Sequence, residues 1–130
     1  MLKIASIIFG IFFLVAGIGG FVPALSPEME GGRMLFGIFM VGPVHNFIHL
    51  ASGAAALMCA FAGGGAARKY FQIFGVVYLL VAIIGFVYGN SPLLGMVEHN
   101  KADIGLHIAI AAVALFLGFA GSRGVATTRG

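Results

Sequence analysis

Pro43-Val44-His45-Asn46-Phe47-Ile48-His49-Leu50 and, 58 positions later, Lys101-Ala102-Asp103-Ile104-Gly105-Leu106-His107-Ile108 are the two stretches from which the chain is best read. Each sets two polar side chains four residues apart at matching places in an apolar run: His45 with His49, and Asp103 with His107. In a chain that is 61% hydrophobic and 8% charged, polar pairs repeated in this way point to one shared site.

The surrounding runs fix the class. A mean hydropathy of +1.11 over 130 residues is that of a membrane protein. The apolar segments 4–22, 44–62, 71–89 and 103–120 each approach the ~20 residues that a helix needs to cross a ~30 Å hydrocarbon core. The expected fold is all-α: a polytopic four-transmembrane-helix bundle, with residues 1–130 forming one domain whose main partner is the lipid bilayer. The first run could be taken for a secretory signal, but its apolar part exceeds the usual ~7–15 residues of a signal core. Pro27 also follows the one small-residue cleavage position, Ser26, and the run is repeated later in the chain. It is read as a helix.

Charge orients the spans. Lys3, Arg68, Lys69, Arg123 and Arg129 fall at one set of ends; Glu28, Glu30, Glu98 and Asp103 fall at the other, with Arg33 and Lys101. The positive-inside rule then places both termini and the loop from Gly63 to Arg68 in the cytoplasm of a multi-pass protein of the cell (inner) membrane, with the histidine-bearing ends outward. A net charge of +3 carried on such loops fits lipid headgroups and gives no reason to expect nucleic acid. Cys59 is the single cysteine, so intrachain disulfide and paired-thiol chemistry are excluded.

The chain repeats itself. Residues 8–22 align without a gap on 73–87 with eight of fifteen identical, and residues 35–63 align on 93–121 with ten of twenty-nine identical. The reading is two tandem two-helix units, about 4–63 and 70–121, related by a pseudo-two-fold axis along the membrane normal. Of the outer loops, 23–42 holds Pro23, Pro27, Gly31 and Gly32, then an apolar stretch from Met34 to Val41 that is too short to span and is expected at the interface. The second loop, 90–101, carries a shorter version from Pro92 to Val97.

Below the polar pairs, one helical stripe runs through Gly53, Ala56, Ala60 and Gly63, and its counterpart through Ala111, Ala114, Gly118 and Gly121. Small residues let membrane helices approach closely, because packing rather than apolarity drives their association. Should the two stripes face each other, His45, His49, Asp103 and His107 converge in the outer leaflet between the second and fourth spans. The similar faces Ser6-Gly10-Phe13-Gly17-Gly20 and Phe71-Gly75-Tyr78-Ala82-Gly85 read as packing, and they leave a homo-oligomer open.

Three imidazoles and a carboxylate suit a tetrahedral transition-metal site, zinc first and copper second. Asn46, His99 and Glu98 are the candidates for the second shell or for a cation path inward. Two other readings stand beside this one. In the first, His49 and His107 are axial ligands of a haem b in an electron carrier, with Arg33 and Lys101 serving the propionates. In the second, the cluster is interhelical hydrogen bonding: Gly42 and Asn100 look like N-caps, Pro43 sits at the favoured first helical position, and Asp103 at the third could be no more than a cap. Tyr70, Tyr78 and Tyr88 read as packing or interface anchors, and the loop methionines as core or lipid contacts. Nothing in the sequence has the form of an enzyme's nucleophile and base. With only Gly and Ala lining the cytoplasmic half of the stripes, binding or sensing is expected before translocation.

At these motifs the chain resembles a bacterial family of small four-helix membrane proteins catalogued only as a domain of unknown function. The likeness rests on Leu35-Phe36-Gly37, on His45-Asn46-Phe47-Ile48-His49-Leu50 with Gly53 following, on Phe74-Gly75-Val76-Val77-Tyr78-Leu79, and on Asn100-Lys101-Ala102-Asp103 with Leu106-His107. The resemblance implies the fold and a shared role for His45, His49, Asp103 and His107. His99 lies outside the family's pattern, and no activity comes with the likeness.

Overall fold

In a computed structural model, residues 1–30, 32–89 and 91–120 are described. Gly31, Gly121, Arg123 and Arg129 lie outside the described residues. The order is α1 (Leu2–Gly19), β1 (Glu28–Met29), β2 (Gly32–Leu35), β3 (Phe39–Val41), α2 (Pro43–Ala62), α3 (Gly64–Tyr88) and α4 (Lys101–Leu115), which runs on into a π-helical turn, Phe116–Ala120. Four helices, Leu2–Gly19, Pro43–Ala62, Gly64–Tyr88 and Lys101–Phe119, are long and apolar enough to cross a membrane.

The side-chain sizes show what solvent the helices face. Ile4, Ile11, Phe61, Phe86 and Val87 are among many large apolar side chains exposed on the outside, whereas Ser6, Ala56, Ala67, Ala82, Ala111 and Ala114 are buried. An apolar exterior of this extent suits lipid, and a small-residue interior lets the backbones close on each other.

That close approach is made within each helical hairpin. A β-carbon on Gly53 of α2 would lie 2.8 Å from the Gly10 carbonyl oxygen of α1, and one on Gly118 would lie 2.7 Å from the Gln72 nitrogen of α3. Ser6 Oγ donates to the Ala56 carbonyl at 2.6 Å, and Gln72 Nε2 to the Gly118 carbonyl at 2.8 Å. The small stripes of α2 and α4 thus serve chiefly the hairpins α1–α2 and α3–α4. Ala56 and Ala114 share one core cluster with Leu2, Ala67, Tyr70 and Phe71. Ala60 is buried as well, and Ala111 packs with Phe13, Tyr78 and Ile110.

Two departures from the sequence reading have plain causes. The loop expected from Gly63 to Arg68 shrinks to Gly63 itself: with φ of 123° it breaks the helix, and α3 starts at Gly64. The stretch Met34–Val41, within an expected all-α chain, contributes to two short strands. β1, β2 and β3 form an antiparallel sheet with Glu28 opposite Arg33, and Arg33 opposite Val41. The reversal between β2 and β3 uses Phe36 and Gly37, at φ of 57° and 73°. Their aligned counterparts in the loop before α4, Leu94 and Gly95, have φ of 52° and 74°. A built β-carbon on Gly10 would meet Leu57, and one on the aligned Gly75 would meet the aligned Leu115.

Candidate metal centre

α2 begins where the chain leaves the sheet: Gly42 is extended at φ −156°, and Pro43, which has no amide proton to leave unpaired, takes the first helical position. One turn in, His45 reaches across to the second outer loop, where its Nδ1 lies 2.8 Å from the Glu98 carbonyl oxygen. A carbonyl can only accept, so Nδ1 carries the proton, and in the neutral ring Nε2 is left as a bare lone pair. Another turn along the same face is His49, whose ring centroid is 4.4 Å from that of His45.

α4 supplies the third imidazole. The His107 centroid lies 5.8 Å from that of His45 and 6.3 Å from that of His49. Phe13 of α1 and Tyr78 of α3, themselves stacked at 5.3 Å, brace the group: Phe13 is 5.7 Å from His49 and Tyr78 is 5.4 Å from His107. All three histidines are buried, with 2%, 4% and 5% of their surface exposed.

The chemistry lies in what these rings lack. His45 Nε2, His49 Nδ1 and His107 Nε2 are buried and have no hydrogen-bond partner among the described residues. An unmet buried acceptor costs about 1–3 kcal/mol. One ligand atom from each of the three rings can be chosen such that all lie within 4.8 Å of one another, which could hold a metal ion.

Asp103 stands differently. Its Oδ2 accepts from the Asn100 amide at 2.9 Å, while its own amide donates to Asn100 Oδ1 at 3.0 Å. This capping box starts α4, and Asn100 Nδ2 also donates to the Ile38 carbonyl at 2.9 Å, tying the second outer loop to the first. Asp103 and His49 both line a cavity of about 210 Å³. Glu98 contributes its backbone carbonyl to His45, and its carboxylate lies against Gly42. His99 is held through Nε2, 3.3 Å from the Gly85 carbonyl, and its Nδ1 is buried without a partner among the described residues. Asn46 is wedged against Gly20, where any side chain would collide with it. Arg33 is engaged with the Ser26 carbonyl at 3.0 Å and, more loosely, with Glu28 at 3.7 Å.

Sequence reasoning passed over Ser52 and gave Tyr78 a packing role. Tyr78 Oη and Ser52 Oγ form a buried hydrogen bond at 2.8 Å beside the histidines, and Tyr70 Oη donates to the Ser52 carbonyl at 3.2 Å. Two hydroxyls at mid-span on neighbouring helices were the available signal.

The family model described as a domain of unknown function (DUF4383) matches residues 3–120, and the chain belongs to that family. No curated protein matches the chain. No solved structure matches it either.

Proposed function

We propose that this member of the DUF4383 family binds a transition metal through His45, His49 and His107, zinc first and copper second. The observation that carries the proposal is that three buried imidazoles, each with a nitrogen unpartnered among the described residues, can each place one ring nitrogen within 4.8 Å of the others. A tetrahedral zinc with Zn–N of about 2.0–2.1 Å takes three neutral imidazoles and leaves a fourth position for water, substrate or another ligand. Binding would give three nitrogens that have no partner among the described residues a bond each.

Two adjuncts complete the reading. The Glu98 carbonyl fixes which nitrogen of His45 is presented, as the outer partners of metal-bound histidines commonly do. Asp103 balances the ion's charge from the cavity that it shares with His49, while its Oδ2 keeps the Asn100 amide. Asn46, His99 and the Glu98 carboxylate belong to the surroundings and to the path by which a cation arrives. We place this end of the bundle on the outer side of the cell membrane, with the Lys3 and Arg68 ends in the cytoplasm.

The packing favours this over haem and over simple helix-to-helix bonding. A macrocycle between His49 and His107 needs an open slot, whereas the His45, Phe13 and Tyr78 rings crowd that pair. Histidines acting as interhelical bonds would have partners at the nitrogens that have none among the described residues.

Elemental analysis of the purified protein tests the proposal. About one zinc or copper per chain in the wild type, and none in His49→Ala/His107→Ala, is expected. A metal-free wild type that takes up neither ion on addition contradicts it.

A further inference from the structure

α2 and α3 follow each other with only Gly63 between them, so they are pinned together at that end. There Ala56, Ala67, Tyr70 and Phe71 fill the space between helices. Towards the histidine end the two helices part around a cleft of about 460 Å³, within the ~300–1,000 Å³ usual for small-molecule sites. Its walls include Phe74 and Val81 of α3, the rings of Tyr78 and His99, and the three histidines of the triad. Phe47 and Val77, at its margin, are exposed on the apolar exterior, so the cleft is reached sideways from the lipid.

The lining selects the occupant. Among the described residues around the cleft there is no Asp, Glu, Lys or Arg, so with the triad metal-free a phosphate or other charged headgroup would be buried without a counter-charge. Aromatic walls favour a flat ring. One polar need remains even with a metal on the triad. His99 is 3% exposed and its Nε2 faces the Gly85 carbonyl, which can only accept, so the buried, unpartnered Nδ1 is a lone pair awaiting a donor. The Tyr78–Ser52 hydroxyl pair offers a second polar point on the same lining.

We propose that this cleft binds a neutral, hydroxyl-bearing aromatic lipid of the quinol class, its ring between α2 and α3, one hydroxyl donating to His99 Nδ1, and its tail passing out between Phe47 and Val77 into the bilayer. The proposal concerns binding alone and stands on the cleft and His99; His45, His49 and His107 share the lining, so the binding is that of the metal-free triad.

The probe is decylubiquinol, kept reduced under anaerobic conditions and titrated calorimetrically into the full chain in phosphatidylcholine nanodiscs with a chelator present, with empty nanodiscs as the blank. Saturable binding of about one quinol per chain is expected. Val81→Phe, which fills the cleft, should abolish it, and His99→Leu should weaken it about tenfold, the loss of one hydrogen bond. Decylubiquinone, which has no hydroxyl to donate, should bind the wild type more weakly than the quinol, and that preference should vanish in His99→Leu. Far-ultraviolet circular dichroism and the thermal melt check that both variants keep their fold; should either lose it, the quinol-over-quinone preference of the wild type decides alone. A signal no greater than that of empty nanodiscs overturns the proposal, as does undiminished binding in a folded Val81→Phe. Equal binding of quinol and quinone, or equal displacement by dodecanol, overturns the quinol assignment and makes the cleft a general alkyl crevice.

Discussion

The Nδ1 of His45 lies 2.8 Å from the backbone carbonyl oxygen of Glu98, so a residue on α2 is oriented by the loop that leads into α4. The bond joins the two halves of the chain at the mouth of the histidine cluster, and it is made by main chain rather than by the carboxylate.

That distinction yields the first prediction. Glu98→Ala keeps the carbonyl and should change metal affinity by less than about threefold, whereas His45→Phe removes a ligand and should abolish tight binding. Competition for zinc against a coloured chelator measures both. Losing an orienting partner typically costs 10–100-fold in affinity, so a loss of that size in Glu98→Ala would assign the carboxylate, and not the carbonyl, to the site.

Helix packing gives the second. Gly53 touches the α1 backbone, so Gly53→Val should destabilise the bundle by about 1–3 kcal/mol through overpacking. Gly105, in α4 with nothing within 4 Å of a built β-carbon, should tolerate alanine and gain up to about 1 kcal/mol in helix propensity. Thermal melting in detergent separates the two; equal responses would contradict the packing described for α1 and α2.

Asn100 carries the third. It caps α4 through the Asp103 amide and holds the Ile38 carbonyl of the first outer loop. Asn100→Ala should cost about 1–2 kcal/mol, the upper part of the range for a lost N-cap, because a second bond goes with it. Hydrogen exchange should show the first turn of α4 opening more readily in this variant; an unchanged rate there would detach the cap from the loop's order.

Much of this was legible in the sequence, for reasons particular to its residues. Four apolar runs without interior charge admit few structures other than membrane helices, and Pro43 and Asn100 mark two helix starts by their backbone chemistry alone. The i, i+4 spacing put His45 and His49 on one face, which left only the partner helix to be found. What could not be read was which small stripe meets which. Gly53 and Gly118 suit any close helix neighbour, and a sequence does not say that the neighbour is the other arm of the same hairpin. Asp103 was likewise ambiguous, since a carboxylate at the third helical position serves as well for a cap as for a ligand, and the Asn100 amide decides its place here. The sheet escaped notice because its strands are two, four and three residues long, too short for an alternating pattern to emerge.

The central claim is that three imidazoles share one ion, and zinc K-edge absorption on the zinc-loaded protein in detergent tests it most directly. Three nitrogen scatterers at about 2.0 Å with the outer-shell signature of histidine rings, reduced to an oxygen-rich shell or lost in His49→Ala/His107→Ala, are the predicted result. A wild-type spectrum of hydrated zinc, or one unaltered by the double substitution, would contradict it.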